Sequence, residues 1–152
     1  MAGITSALCT SFKVELLEGD HDFNNGADTF KVALLKANAS ITGTYGAATT
    51  NYSDVTGNSD ELPNGSGYTT GGYTLTNVNP TSSGTTAFTD FSANAQWTSA
   101  TFTTRGCIIY NSSDGNSAVA MINFGADYSV SGGTFEIQWP TADSSNAIIR
   151  IA

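Results

Sequence analysis

The chain has 152 residues, of which 39% are hydrophobic and only 12% are charged, and its formal net charge is −8. A chain of this length forms one compact domain, and its apolar content is enough for a packed core, which excludes a disordered protein. The five basic residues are scattered, so no basic stripe is available for nucleic acid or for an anionic membrane. The sequence predicts neither a transmembrane helix nor a signal peptide, and we expect the product to stay in the cytoplasm where it is made.

A single short helix is predicted near the N-terminus, at about residues 5–18. Thr5 or Ser6 can cap its start, and Gly19 can end it. Apolar residues recur between these points at helical spacing, at Leu8, Phe12, Leu16 and Leu17. Because these positions form one apolar stripe, we expect the helix to dock on a β-core.

Strand patterns dominate the rest of the chain. The segment Thr29–Lys36 alternates apolar and polar residues with a period of two. Six further strands are predicted between turn signals, at Tyr68–Val78, Thr86–Phe91, Ala100–Tyr110, Ala118–Phe124, Thr134–Trp139 and Ala147–Ile151. The turn Asn111–Asn116 contains Asp-Gly and predicts a hairpin, whereas Gly71-Gly72 indicates either a bulge or a tight turn.

These patterns predict one all-β domain over residues 1–152. Several short strands joined by Gly-containing and Asn-containing turns favour mainly antiparallel pairing. The predicted architecture is a β-sandwich or a jelly-roll-like barrel with one short N-terminal helix.

A long segment at about residues 38–67 is rich in Gly, Thr, Asn and Ser, and its apolar residues are isolated. We predict an extended loop, and a loop of this length in a compact domain is usually functional. Its aromatic and acidic side chains favour a contact arm over a solvated loop without a partner, and the N-terminal arm is the alternative contact element. The predicted contact residues are Tyr45, Tyr52, Asp54, Asp60, Glu61 and Leu62. Removing residues 54–61 is expected to leave the β-core folded.

Three other side chains carry individual predictions. Arg105 lies in a strand made otherwise of Thr and apolar residues, so we expect its guanidinium to pair with an acid on a neighbouring strand or subunit. Cys9 and Cys107 each have apolar neighbours. We expect both to be reduced thiols that pack as small hydrophobic residues.

Motifs for catalysis and metal binding are weak. The only histidine, His21, is predicted to be a surface or turn residue, because no motif places a nucleophile beside it. Asp20, Asp22 and Asn24 match three positions of a calcium loop, but the sixth and twelfth positions lack the required Gly and Glu. Two cysteines and one histidine do not complete a structural zinc site. We therefore predict a non-enzymatic protein with no catalytic residue, no metal and no cofactor.

Several motifs resemble a family of small structural proteins encoded in tailed-phage gene clusters. They span nearly the whole chain, at Thr10–Lys13, Glu15–Gly19, Asp28–Leu34, Gly67–Gly72, Thr104–Asn111, Ala118–Ala120, Asn123–Gly125 and Asn146–Ala152. The acidic turn Asp20–Asp22 and the longer loop around residues 54–63 depart from the family pattern. The resemblance implies a virion component.

Capsid decoration, or cement, is the first interpretation of this resemblance. Its partners would be the major capsid protein and other copies of the chain, which would form a homo-oligomer on the particle. A Lys-poor surface suits a protein packed against neighbours. The alternative is a tail, neck or fibre component that binds a receptor or glycan through exposed aromatics, for which the candidates are Tyr45, Tyr52, Tyr68 and Tyr73.

Overall fold

A computed structural model describes residues 2–152 and confirms the all-β class. The two helices are α1 (Thr10–Glu18) and α2 (Tyr52–Gly57). The ten strands are β1 (Gly3–Ile4), β2 (Ala7–Leu8), β3 (Phe30–Lys36), β4 (Thr44–Tyr45), β5 (Tyr73–Thr74), β6 (Thr81–Ser83), β7 (Thr86–Thr89), β8 (Ala95–Asn111), β9 (Ser117–Ile137) and β10 (Ile149–Ile151).

The strands form three sheets. The largest has the order β2-β9-β8-β3-β5 and is antiparallel throughout. A three-stranded antiparallel sheet has the order β10-β7-β6, and β1 pairs with β4 in parallel. No sheet closes into a barrel within residues 2–152, so the jelly-roll-like barrel is not the architecture observed.

The N-terminal helix forms, but it starts later than predicted. It begins after Cys9, not after Thr5 or Ser6, because the preceding residues are extended and pair with β4 and β9. Gly19 ends it as predicted, with a φ of 89° and its N–H donated to the carbonyl of Glu15. Phe12 is buried under the helix, whereas Leu17 is 89% exposed and does not belong to the docked stripe.

Strands β8 and β9 form one long hairpin that dominates the fold. Its turn lies between Asn111 and Ser117, as predicted. The predicted strand Ala118–Phe124 and most of the predicted strand Thr134–Trp139 belong to the single strand β9, which ends at Ile137. The polar, glycine-containing stretch between them continues the ladder, because Gly125 and Gly132 adopt φ values of 83° and 64° and let the strand bulge without leaving β8.

Strand β3 is the centre of the core, and its burial does not alternate as predicted. Every residue from Val32 to Leu35 is fully buried. One edge of β3 pairs with β8 over its whole length. The other edge receives β5 and the backbone of Asp60 and Leu62, since Lys36 N donates to Asp60 O and Leu62 N donates to Leu34 O.

Two smaller corrections concern strand β6 and the predicted strand Tyr68–Val78. Strand β6 was not predicted, and only Tyr73–Thr74 of the predicted strand Tyr68–Val78 is paired as a strand. Gly71-Gly72 makes a turn, with φ values of 93° and 75°. At Gly72 the chain passes so close to β3 that an added Cβ would lie 2.0 Å from the carbonyl oxygen of Val32.

The two cysteines are buried, free thiols, as expected. Burial raises the pKa of Cys9 to about 11 and also raises that of Cys107, so both thiols are poor nucleophiles at neutral pH. In the part of the chain that the structure describes, neither helix has the length and apolar character required to cross a membrane.

Candidate interaction surface

The segment 38–67 is folded rather than extended. It contains a 3₁₀ turn at Asn38–Ser40, strand β4 and helix α2. Asn51 and Asp54 cap the start of α2: the Asn51 side chain accepts from Ser53 N, and the Asp54 side chain accepts from Asn51 N. Val55 in this helix is fully buried. The predicted extended loop is therefore wrong, because local capping and a buried apolar residue give the segment its own structure.

Asp60 fixes one end of this segment from inside. It is 1% exposed, and its carboxylate accepts hydrogen bonds from Thr42 N at 3.0 Å, Gly43 N at 2.7 Å and the hydroxyl of Tyr45 at 2.6 Å. Burial alone would raise the pKa of Asp60, but these hydrogen bonds outweigh it and hold the pKa below its usual value. The carboxylate thus remains charged and ties β4 to the backbone that follows α2.

Glu61 fixes the other side of the same segment. One of its carboxylate oxygens accepts from the Tyr68 hydroxyl at 2.7 Å and from Gly71 N at 2.7 Å, and the other accepts from the Tyr52 hydroxyl. The ring of Tyr52 stacks on that of Tyr110 with centroids 4.3 Å apart. Burial, reinforced by the Glu61 carboxylate, raises the pKa of Tyr52 and Tyr68 above the usual value for tyrosine. These contacts form a buried polar network between the segment and the main sheet.

Most of the predicted contact residues therefore face the interior. Tyr45, Asp60, Glu61 and Leu62 are buried, and Tyr52 and Asp54 are half-buried. Among the tyrosines suggested for glycan stacking, Tyr68 is also buried and Tyr73 is half-buried. A role of these side chains in partner contact stays a prediction, and their burial disfavours it.

Arg105 lies opposite a wide bulge in β9. Between the pairs Thr104–Tyr128 and Gly106–Asn123, one residue of β8 faces four residues of β9. The guanidinium donates to Asn123 Oδ1 at 3.1 Å and lies 3.8 Å from Asp127 Oδ1. The prediction that Arg105 pairs with an acid on a neighbouring strand is confirmed, although the ion pair is partly exposed.

His21 is buried, so its assignment to the surface was wrong. The ring packs against Phe12, with centroids 5.0 Å apart, and against Phe23 and Phe30. The turn that follows α1 folds back over the helix, and Glu15 Oε2 lies 3.0 Å from His21 Nε2. Sequence reasoning missed this because the flanking aspartates made the turn look solvated, while the three phenylalanines that enclose the ring are distributed over separate elements.

Hydrogen bonds determine which ring nitrogen of His21 carries the proton. The side-chain oxygen Oδ1 of Asn111 accepts from Ser113 N at 3.0 Å. This orients the side-chain amide nitrogen of Asn111 toward Asp28 Oδ2 at 2.8 Å and His21 Nδ1 at 3.0 Å. Nδ1 must therefore accept, and Nε2 carries the hydrogen that is donated to Glu15.

The group with metal-ligand chemistry is formed by Glu15, His21 and Asp114, whose ligand atoms lie within 4.8 Å of one another. A cation at His21 would displace the hydrogen on Nε2. If that hydrogen moved to Nδ1, it would point at the amide nitrogen of Asn111, which is itself a donor, and the hydrogen bond between them would be lost. The hydrogen bonds observed therefore disfavour metal binding at His21 Nε2.

An exposed apolar area lies on the outer side of α1, and we call it the helix patch. It consists of Val14, 51% exposed, and Leu17, 89% exposed, which are three residues apart on the helix and so lie side by side. Ile151 of β10, 58% exposed, lines the neighbouring groove. This shallow apolar groove runs beside the helix patch, between α1 and the three-stranded sheet, and is also lined by Leu16, Phe23, Phe88 and Ile149. Sequence reasoning missed this patch, because it placed Leu17 with Leu16 in the stripe that docks on the core, whereas Leu17 faces solvent in the structure.

A second exposed area lies on the far half of the β8–β9 hairpin, beyond the part that β3 covers. Phe135 contacts the rings of Trp97, Phe102 and Phe124, with centroids 5.6–6.1 Å apart. Phe124, Phe135 and the half-exposed Tyr128 line a shallow pocket. The opposite face of the hairpin is polar and includes the hydrogen bond between Thr103 and Ser129, at 2.7 Å. The hairpin thus has one aromatic face and one hydroxyl-rich face.

In comparisons with known proteins, the chain matches no family model, no curated protein and no solved structure.

Proposed function

We propose that this protein is a structural component of a phage virion that binds the outer surface of the capsid as a decoration or cement protein. The motif resemblance described above motivates the role. The observation that carries the contact surface is the helix patch, in which Leu17 leaves 89% of its surface in solvent on a helix whose other side is anchored by Phe12. Exposed apolar patches of this kind are typical of protein interaction sites.

The rest of the molecule supports a role as a rigid attachment. The buried carboxylates Asp60 and Glu61 hold the segment 38–67 against the core. The domain that carries the helix patch is therefore held together by internal hydrogen bonds. A net charge of −8 would complement a basic surface on a shell protein, and attachment would then weaken as the salt concentration rises. Repetition over many symmetric sites would make a modest patch sufficient.

The experiment is re-decoration of particles from which the protein has been removed. Leu17→Asp should lower occupancy strongly, because it places a charge in the apolar centre of the contact. Leu17→Met should retain occupancy. Ala39→Asp is the matched control, since Ala39 is exposed in the 3₁₀ turn and the substitution adds the same charge away from the patch. Full occupancy of Leu17→Asp particles would show that the helix patch is not the contact.

Copy number tests the location in the virion. Hundreds of copies per particle, counted from a cryo-electron map, support decoration. A small symmetric set at one vertex would instead place the protein in the neck or tail, and the decoration proposal would then be withdrawn.

A further inference from the structure

The outer edge of β9 is open over most of its length. One edge of this strand pairs with β8 along the whole hairpin. Within residues 2–152 the other edge is paired only near its start, with Asn51 at Ser117 and with β2 at Ala120 and Met121. From Tyr128 to Ile137 no strand of the described residues lies on the outer side. Ten residues of extended chain span about 33 Å. An open edge of this length offers a row of backbone donors and acceptors to another strand.

The sequence of this edge is close to a palindrome. Reading outward in both directions from Gly132-Gly133, each arm has a hydroxyl residue, an apolar residue, a polar residue and an apolar residue. The sequence is Tyr128-Ser129-Val130-Ser131-Gly132-Gly133-Thr134-Phe135-Glu136-Ile137. Relative to β8, Gly132 is an extra residue, so the apolar residues of both arms fall on the aromatic face of the hairpin.

Several devices that usually protect an edge are missing here. Between Arg105 and Arg150 the chain has no basic residue, and the first proline after β8 is Pro140, beyond the strand. Of the two acids on or beside the edge, Asp127 accepts from Asn38 N and faces Arg105. Glu136 accepts from Gln96, Asn94 and Gln138, and these hydrogen bonds lower its pKa. Both carboxylates are thus occupied by their own chain.

We propose that two copies of this chain pair through the outer edges of their β9 strands, antiparallel, about a two-fold axis at Gly132-Gly133. In this register Val130 lies opposite Phe135 of the second copy, and Tyr128 lies opposite Ile137. Ser129 lies opposite Glu136, and Ser131 lies opposite Thr134. Apolar side chains meet apolar side chains on the aromatic face, polar meets polar on the other, and no like charges face each other.

The palindrome selects a second copy over an unrelated strand. An isologous contact requires the same surface to be complementary to itself, and an antiparallel strand pair satisfies this when its pattern is symmetric about the axis. An unrelated segment would need only one matching arm. The pairing would join two hairpins into one continuous sheet and would cover much of the shallow pocket at Tyr128 and Phe135. This inference is independent of the virion role.

Sedimentation velocity of the purified chain over a wide concentration range tests the pairing. We expect a reversible monomer–dimer equilibrium. Ser129→Glu should raise the dimer dissociation constant by about tenfold or more, because it places two carboxylates opposite each other at both symmetric positions. Ser129→Lys should preserve or tighten the dimer, since the new cation faces Glu136 of the second copy.

Two controls separate this register from general charge effects and from misfolding. Ser82→Glu adds the same charge on an exposed residue of β6, away from the edge, and should leave the dissociation constant unchanged. The double variant Ser129→Glu with Glu136→Lys should recover dimerisation, because the opposite charges then meet across the interface. Thermal melting at low concentration checks that each monomer is folded. A wild-type chain that stays monomeric at high concentration, or a dimer that Ser129→Glu does not weaken, would overturn the proposal.

Discussion

The buried carboxylate of Asp60 provides the sharpest test of how segment 38–67 is held. Asp60→Ala removes the acceptor of Thr42 N, Gly43 N and the Tyr45 hydroxyl. The hydroxyl lies 3.4 Å from the Asp54 carbonyl and can turn to it, but the two backbone N–H groups have no such substitute in the structure. A buried donor left without an acceptor costs about 1–3 kcal/mol, but Thr42 is exposed and Gly43 is half-buried, so water can reach at least the Thr42 N–H. We therefore expect a loss of about 1–3 kcal/mol.

Urea denaturation at pH 7 measures this loss through the shift of the midpoint at constant slope. Asp20→Ala is the matched control, because Asp20 is exposed, and it should change stability by less than about 0.5 kcal/mol. The folded-state pKa of Asp60 is lowered, so its contribution is present above the unfolded-state pKa of about 4 and is lost as pH falls through the folded-state value. The difference between wild type and Asp60→Ala should therefore shrink in acid. Equal midpoints at pH 7 would refute the anchoring role.

Three further predictions concern tyrosine ionisation, close packing and the bulge in β9. Burial raises the pKa of four tyrosines, Tyr45, Tyr52, Tyr68 and Tyr110, to about 12 for Tyr110. Tyrosine absorbance should therefore show four groups that ionise only on unfolding, and the free energy of unfolding should fall above pH 10 by about 1.4 kcal/mol per pH unit for each of them. Gly106→Ala should cost more than about 2 kcal/mol in chemical denaturation, since its Cβ would lie 2.3 Å from Ile122 O, whereas Gly57→Ala meets open space and should be neutral or stabilising. Arg105→Ala should lower the free energy of unfolding by only about 0–1 kcal/mol in thermal melting, because the ion pair with Asp127 is partly exposed. A larger loss would mean that the hydrogen bond from Arg105 is needed to hold the Asn123 side chain in place.

The structure also revises the expected tolerance to deletion. Removing residues 54–61 was expected to leave the β-core folded. That segment contains Val55, which is fully buried, and both anchoring carboxylates. It also supplies the backbone that follows the edge of β3. We now expect the deletion to unfold the chain, and circular dichroism of the purified variant checks this.

Local signals in the sequence were sufficient for the fold class and for several elements. Three signals each act over a few residues and predicted their elements correctly: the apolar run at β3, although its burial does not alternate, the Asp-Gly turn after Asn111, and Gly19 at the end of α1. The pairing of Arg105 with an acid was predicted from the cost of burying an unpaired guanidinium, although the structure leaves Arg105 only half-buried. The free state of the two cysteines followed from their apolar neighbours.

Tertiary structure decided what the polar residues do. Asp60, Glu61 and His21 look like solvated side chains in sequence, yet all three are buried, because donors from Thr42, Tyr68, Asn111 and other distant residues converge on them. Likewise, Gly125 and Gly132 look like turn residues, and only the opposite strand β8 makes them bulges in one long strand. A sequence specifies local geometry and apolar periodicity directly, whereas the partners of a buried polar group are brought together only when the whole chain has folded.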